Sequence, residues 1–507
     1  MVDAGYRAPA TLTELEARLA DDLQWLCLPP PAWSPPRTVG TRPVTDVLIV
    51  GGGMCGLTAA AALKLLGVHN HRIVDRAPAG FEGPWITYAR METLRSPKEL
   101  TGPCLGLPAL TFRAWFQAQF GLDAWLALDK IPRPQWMAYL VWYRRVLGLP
   151  IENDTIVRQI LPASGVAGIE DAADAQGLLE VELQTPAGIE RALARHVVLA
   201  TGRDGGGQPQ IPPFAQKLSR TRWAHSADEI DFAALRGKRV AVIGAGASAM
   251  DNAATALEAG AARLDLFVRR PDLPRINKLT GVSSPGLSHG FATLSDAWKW
   301  RINDYAMRSQ TPPPRGSTFR VSRHSNAFFH LGSPVESIVE NGDALLLRTP
   351  RGSYALDFVI FGTGFKTDLR QRPELAVLQD RIKLWRDAFE PNPERDGENE
   401  ELARSPYLGP AFECQDKQDC PDSPVRRIHL FNYSAMASLG KLSGDIPAVS
   451  IGAQRLAQGI ATRLFQDDID THYAALQAYE KPELYGDEWT NADADTEPVQ
   501  RAAAVGR

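Results

Sequence analysis

The chain has 507 residues, enough for two or three domains with large cores. Its 55 basic and 59 acidic residues leave a net charge of −4, so it carries no basic field for a nucleic acid or a membrane surface. Five scattered cysteines without a Cys-x-x-Cys suit a reducing cytoplasm and exclude a dithiol reductase, and nine histidines show no zinc-type spacing.

Residues 1–10 lack the charged-then-apolar pattern of a signal. Residues 11–26 predict an amphipathic helix, with Thr11 and Glu14 as a capping box and Leu12, Leu15, Leu19, Leu23 and Leu26 along one face. Residues 29–36 form a stiff proline connector with Trp33 packed on the body. This leader reads as a structural strap or, as a second reading, a partner-docking helix.

Four apolar residues, 47–50, then predict a buried strand. Gly51, Gly53 and Gly56 supply G-x-G-x-x-G before an Ala/Leu-rich helix over 57–66, which Gly67 stops. The first glycine allows a tight turn, the second lets a pyrophosphate approach the backbone, and the third lets helix and strand pack closely. The helix N-terminus, with Met54 and Cys55 in the turn that leads into it, offers free N–H groups to phosphate. A second strand, 71–74, ends in Asp75 and Arg76, where a ribose-binding acid sits. The longest weakly polar run, 47–63, contains this fingerprint and is short for a membrane span.

Residues 134–147 predict a helix whose Trp136, Tyr139, Trp142 and Tyr143 read as core. A hairpin over 178–199 ends in Ala200-Thr201-Gly202. After a glycine- and proline-rich boundary at 204–213, a second unit begins. Gly244, Gly246 and Ala249 give G-x-G-x-x-A, with Ser248 in the same turn, and the next strand, 264–268, ends in Arg269 and Arg270. A carboxylate at a strand tip accepts ribose hydroxyls and repels a 2′-phosphate, whereas guanidiniums bind that phosphate. The first unit therefore reads as a site for FAD or NAD and the second as a site for NADPH, the alternative being that the arginines are solvated surface charge.

Further on, a helix is expected around 294–307 and strands over 344–349 and 354–360. They lead into Gly362-Thr363-Gly364, an echo of Thr201-Gly202 that suggests the second unit is inserted into the first. Asp445 and Pro447 predict the start of a helix running to about Phe465, with Asp445 as its cap. The expected division is 1–40 leader, 41–203 first part of the FAD domain, 204–357 NADPH domain, 358–480 second part of the FAD domain, and 481–507 a charged, Ala-rich, disordered tail. Cys414 and Cys420 read as bystanders in a polar loop.

Paired dinucleotide units with an acid on the first and arginines on the second resemble the two-dinucleotide-binding-domain flavoproteins, and within them the class B flavoprotein monooxygenases. That group comprises flavin-containing, N-hydroxylating and Baeyer–Villiger enzymes. The likeness covers residues 46–465. Glu82-Gly83-Pro84-Trp85 is similar to the family's Gly-Gly-x-Trp, Arg95-Ser96-Pro97-Lys98-Glu99 to its Asn-Ser-x-Lys-Glu, and the two strand ends to its Ala-Thr-Gly. There are three departures: Arg95 stands for the asparagine, Glu82 for a glycine, and Ser219 and Thr221 for the Phe and Gly of F-x-G-x-x-x-H before His225.

The resemblance implies an α/β fold of two Rossmann-like domains, the NADPH domain inserted into the FAD domain. It implies that NADPH reduces FAD, that O₂ then forms a C4a-(hydro)peroxyflavin, and that a small organic substrate is oxygenated at nitrogen, sulfur or a carbonyl. Cofactor contacts are expected at Gly51, Gly53, Met54, Cys55, Gly56, Asp75, Arg76, Trp85, Thr201, Gly244, Gly246, Ser248, Ala249, Arg269, Arg270, Thr363, Gly364 and Asp445. Arg95 is the candidate catalytic residue, stabilising a peroxide anion or binding a substrate carboxylate, or else forming a surface salt bridge. No metal is expected. The rival readings are an NADPH-dependent flavoprotein reductase or oxidase without oxygen transfer, and a non-enzymatic nucleotide-binding protein.

Overall fold

A computed structural model describes residues 9–163 and 177–492. The expectations for the first eight residues, and for the tail beyond 492, lie outside that range.

Helix α1 (Leu12–Trp25) starts as its sequence dictates. Thr11 Oγ1 accepts the Glu14 N–H at 3.1 Å, while the Glu14 carboxylate accepts the Ala10 N–H at 2.7 Å. Leu15 and Leu19 are buried, and Leu12 and Leu23 pack at the edge of the core; Leu26 is exposed, because the helix ends before it. The connector is held by Trp33, whose Nε1 donates to Leu66 O at 2.7 Å.

The next strands are β1 (Arg37–Val39), β2 (Arg42–Val50), β3 (His71–Val74), β4 (Ile156–Pro162), β5 (Leu179–Thr185) and β6 (Gly188–Leu199). Helix α2 (Met54–Leu65) makes the crossover between the parallel pair β2 and β3, and β6 lies parallel to β2 on its other side. Strands β4, β5 and β6 continue the sheet as an antiparallel meander. Two helices that cover this unit, α3 (Phe112–Ala127) and α4 (Arg133–Val146), enclose Phe112, Trp136, Tyr139 and Tyr143, all fully buried. The aromatic set is core, as its spacing suggested.

The chain then passes through β7 (Gly207–Pro209) into a second, wholly parallel sheet. It contains β8 (Trp223–His225), β9 (Arg239–Ile243), β10 (Arg263–Val268), β11 (Ala327–Leu331) and, later, β15 (Phe358–Phe361), in the order β11-β10-β9-β15-β8. Helix α5 (Ala247–Glu258) joins β9 to β10. The crossover from β10 to β11 is far longer and carries α6 (Asp296–Ser309) and α7 (Arg315–Ser322). A three-stranded antiparallel sheet, β12 (Ser337–Asn341), β13 (Ala344–Thr349) and β14 (Gly352–Leu356), follows.

Two boundaries differ from the sequence reading. The expected strand 354–360 breaks at Asp357, whose carboxylate accepts the Arg239 N–H at 2.7 Å and pairs with the Arg239 guanidinium; the residues after it swing into the second sheet as β15. The chain rejoins the first sheet only at β17 (Ile428–His429), which pairs in parallel with β6. Between these, β16 (Phe365–Thr367) pairs antiparallel with β7, so the outgoing and returning crossings lie side by side. The last described helices are α8 (Val449–Asp467), packed on α2, and α9 (Ile469–Gln477). No helix among the described residues is long and apolar enough to cross a membrane.

Candidate functional site

Both fingerprints lie at the carboxyl ends of parallel strands, where α/β sheets bind ligands. In the first, Gly51 takes φ +106°, and a Cβ there would lie 2.5 Å from Ala200 O. A Cβ on Gly56 would lie 1.8 Å from Gly51 O. Only hydrogen fits at either place. The second turn repeats the arrangement with one change. Gly244 takes φ +138° and abuts Gly362 O, but the third position is Ala249, and its methyl occupies the space a Cβ on Gly362 would need, 2.6 Å away. Each fingerprint therefore presses on the strand end after it, Ala200-Thr201-Gly202 in one unit and Gly362-Thr363-Gly364 in the other.

The helices that follow are left uncapped. Helices α1 and α3 have threonine caps, whereas α2 starts on Gly53 and α5 on Gly246 with no side-chain cap. Their first-turn N–H groups, at Met54 and Cys55 in one and near Ser248 in the other, are what a pyrophosphate requires. A Cβ on Gly246 would meet nothing within 4 Å, whereas one on Gly53 would touch the Cα of Gly83 at 3.6 Å.

Asp75 is buried at the tip of β3. It accepts the N–H of Gly52 at 2.6 Å and of Ala77 at 2.7 Å. Burial raises its pKa and these two donors oppose the rise. Arg76 beside it is exposed. The Glu82 that replaces a family glycine is buried. It pairs with Arg144 at 2.8 Å and accepts from Asn153 Nδ2 at 2.8 Å and Gly80 N–H at 2.9 Å, which ties the 80–83 turn to the end of α4. Trp85 follows, edge-on to Trp136 at 6.1 Å, its Nε1 buried without an acceptor.

At the tip of β10, Arg269 is exposed and, among the described residues, has no hydrogen-bond or ion-pair partner. Arg270 instead donates to Arg308 O at 2.8 Å. Thr201 and Thr363 hold their strand ends, Thr201 by accepting from Asn432 Nδ2 at 3.2 Å and Thr363 by donating to Gln210 O. His225 keeps a trace of the eroded motif. Its Nε2 lies 2.9 Å from Gly364 O and its Nδ1 accepts the Ala227 N–H, so β8 is fastened to the second strand end; burial lowers its pKa.

Asp445 does not cap the final helix. A 3-10 turn, Ile446–Ala448, precedes α8, and the Asp445 side chain makes no capping bond. Burial raises its pKa, against Lys441 and Arg95. Among the described residues, Arg95 forms no salt bridge either. It donates to Pro312 O at 2.8 Å, and burial lowers its pKa against the pull of Asp445, leaving it charged at neutral pH. Cys55 donates to Ser443 O at 3.3 Å, so the approach to α8 lies beside the first fingerprint; its thiol is pushed up to about 12 by burial.

Asn432 carried no motif. It is fully buried and donates to Leu199 O, accepts from Ser434, and offers its carbonyl to Ser443 Oγ at 2.6 Å. It joins the first strand end to the approach to α8.

The glycine turns, uncapped helix starts, Asp75 and the orphaned Trp85 nitrogen fit a dinucleotide, and the second turn with Arg269 fits a phosphorylated one. The L-lysine 6-monooxygenase/L-ornithine 5-monooxygenase family matches residues 110–298. An FAD-dependent urate hydroxylase from Xanthomonas campestris pv. campestris is 42% identical over 477 residues, 94% of this chain and 98% of that protein. The ornithine hydroxylase of Pseudomonas aeruginosa shares the fold with a TM-score of 0.63 and 17% identity, over 83% of this chain and all of that one (100%). So does the ornithine N-hydroxylase of Kutzneria, solved with reduced FAD, NADP+ and L-ornithine (TM-score 0.63, 17% identity, 83% of this chain and 100% of that one). The chain belongs to the class B flavoprotein monooxygenases, and is an FAD- and NADPH-dependent enzyme that uses O₂ to oxygenate a small organic substrate.

Proposed function

We infer that the substrate is urate or a closely related oxidised purine. The carrying observation is the end-to-end identity with the urate hydroxylase, 42% across both nucleotide units and the long crossover between β10 and β11. Urate has no C–H bond, so its hydroxylation adds oxygen to an electron-rich ring atom. That removes sulfur from the earlier choice and leaves a ring nitrogen or ring carbon as the oxygen acceptor.

FAD, when bound, supplies oxygen activation fed by electrons from NADPH. The chain does the rest. FAD is assigned to the seven-stranded unit, with the N–H groups of α2 on its pyrophosphate and Asp75 on its ribose. NADPH is assigned to the five-stranded unit, with α5 on its pyrophosphate and Arg269 on its 2′-phosphate. Arg95, held by Pro312 O and facing Asp445, is assigned to the anionic substrate, where a half-desolvated guanidinium offers planar, bidentate donors. A cytoplasmic location, supported by five unpaired cysteines, belongs to the same reading.

The test is to follow NADPH, O₂, urate and peroxide together, with urate, L-ornithine and L-lysine as candidates. Urate should accelerate NADPH oxidation and disappear in step with it, with little peroxide, while the two amines release peroxide only. Failure of urate to accelerate the reaction would remove it as substrate. Stoichiometric peroxide with every compound would favour the oxidase.

A further inference from the structure

We propose that Arg320 is a positioning residue that seats the NADPH unit on the FAD unit. It lies in α7, which packs along α5, and its side chain is only 9% exposed. Nη2 and Nε bind Glu258, at the end of α5, at 2.6 and 3.0 Å. Nη1 lies 3.6 Å from Asp251 Oδ1 in the middle of α5, an oxygen that is buried and accepts no hydrogen bond. One guanidinium thus grips the nucleotide-binding helix at two levels.

The same group also reaches out of its own unit. Nη1 donates to Arg90 O at 3.2 Å, and Nε lies 3.6 Å from Glu92 Oε1. A few residues upstream, Pro312 O accepts from Arg95. Two guanidiniums, one from each unit, therefore fasten residues 312–320 to residues 90–95. The receiving stretch is itself fixed. Leu94 N–H donates to Ile131 O at 2.8 Å, Arg133 N–H to Glu92 O at 3.0 Å, and Arg133 Nε to Met91 O at 3.0 Å, so it is bound to the start of α4.

A rigid path results: α5, whose first turn takes the NADPH pyrophosphate, then Arg320, then the stretch that carries Arg95. Intradomain pairing with Glu258 would have satisfied the charge alone. The bond to a carbonyl of the other unit is what an element holding two reactants in register needs. Hydride transfer depends steeply on that register. Lysine cannot replace the group, because one ammonium cannot span Glu258, Asp251 and Arg90 O together.

The inference rests on placing NADPH at α5 and is independent of the substrate. Its test is anaerobic reduction of the FAD-loaded enzyme by NADPH in a stopped-flow instrument, with hydrogen exchange as a second readout. Arg320→Lys should lower the limiting reduction rate by about tenfold or more, with FAD content and NADPH Kd unchanged. Exchange should rise together in 90–95 and 312–320. Glu92→Gln, an exposed change that touches only the cross-unit contact, should shift both readouts in the same direction by less, and serves alone if Arg320→Lys does not fold. An unchanged limiting rate, a raised Kd with an unchanged rate, or faster exchange confined to α5 and α7 overturns the proposal. If Arg269→Ala leaves the NADPH KM unaltered, the NADPH placement fails separately, while the exchange result still reports on the fastening.

Discussion

Arg269 and Arg270 are neighbours with different employment. Arg270 spends a donor on the last turn of α6 through Arg308 O, while Arg269 is exposed at the strand tip. A single charge-assisted contact to phosphate contributes about 1.5–3 kcal/mol. Arg269→Ala should therefore raise the NADPH KM by about tenfold or more and leave the NADH KM alone, whereas Arg270→Ala should change discrimination little. Steady-state kinetics with both nucleotides decide it; equal losses with NADH and NADPH refute the phosphate role. The positions of Asp75 and the two arginines at strand tips were legible because the end of a strand-forming run is a local pattern. Glu82 and Asn432 were not, because their partners, Arg144 and Leu199, come from distant parts of the chain. Asp445 was misread as a cap because Asp two residues before Pro447 fits that role locally, and only the turn at Ile446–Ala448 shows otherwise.

At the scale of elements, the glycine fingerprints fixed both βα turns from sequence alone, since each tight turn is dictated within a few residues. The close packing is unforgiving. Gly56→Ala would drive a methyl into Gly51 O and should cost roughly 3 kcal/mol or more. The measurable outcome is loss of FAD on gel filtration and a lower melting temperature; full flavin content in the variant would show that the turn yields. The two units differ at the third position, which is Gly56 in the first and Ala249 in the second, where the Ala249 methyl fills the space beside Gly362. Elements without a local signal were harder to place. The strand β15 joins the second sheet because Asp357 docks on Arg239, a pairing no window of sequence contains. Helix α3 went unread although Thr111 caps it, since Gly121 interrupts its periodicity at φ +85°.

At the scale of the molecule, the first unit is closed around the second by β17 on β6, and two buried imidazoles mark the seam. His196 Nδ1 lies 3.0 Å from His429 Nε2, Arg427 donates toward His196 Nε2, and His429 Nδ1 lies 2.8 Å from Ala411 O. With Arg427 as an obligate donor, the order of protons along this chain is set, and both rings are neutral. Burial holds His429 down to about 4 and His196 well below its ordinary value, the latter helped by His429 and Arg427. An unfolded imidazole protonates near pH 6.5. Below that the unfolded chain binds protons that the folded chain refuses, so stability falls as pH drops from about 6.5 towards 4. Chemical denaturation at pH 7 and pH 5 should show a steeper loss for the wild type than for His429→Gln, which keeps a donor to Ala411 but cannot titrate. Parallel curves for the two proteins would contradict the assignment.

The oversized link from β10 to β11 has a consequence for descent. Parallel neighbours in a sheet need a connection but set no upper limit on its length. Apart from Pro312 and Arg320, which join the two units, residues 271–326 can therefore diverge while both cofactor cradles stay intact. Lineages built on this scaffold are expected to trade amine for purine within that interval, and swapping it between relatives is the shortest route to a changed diet.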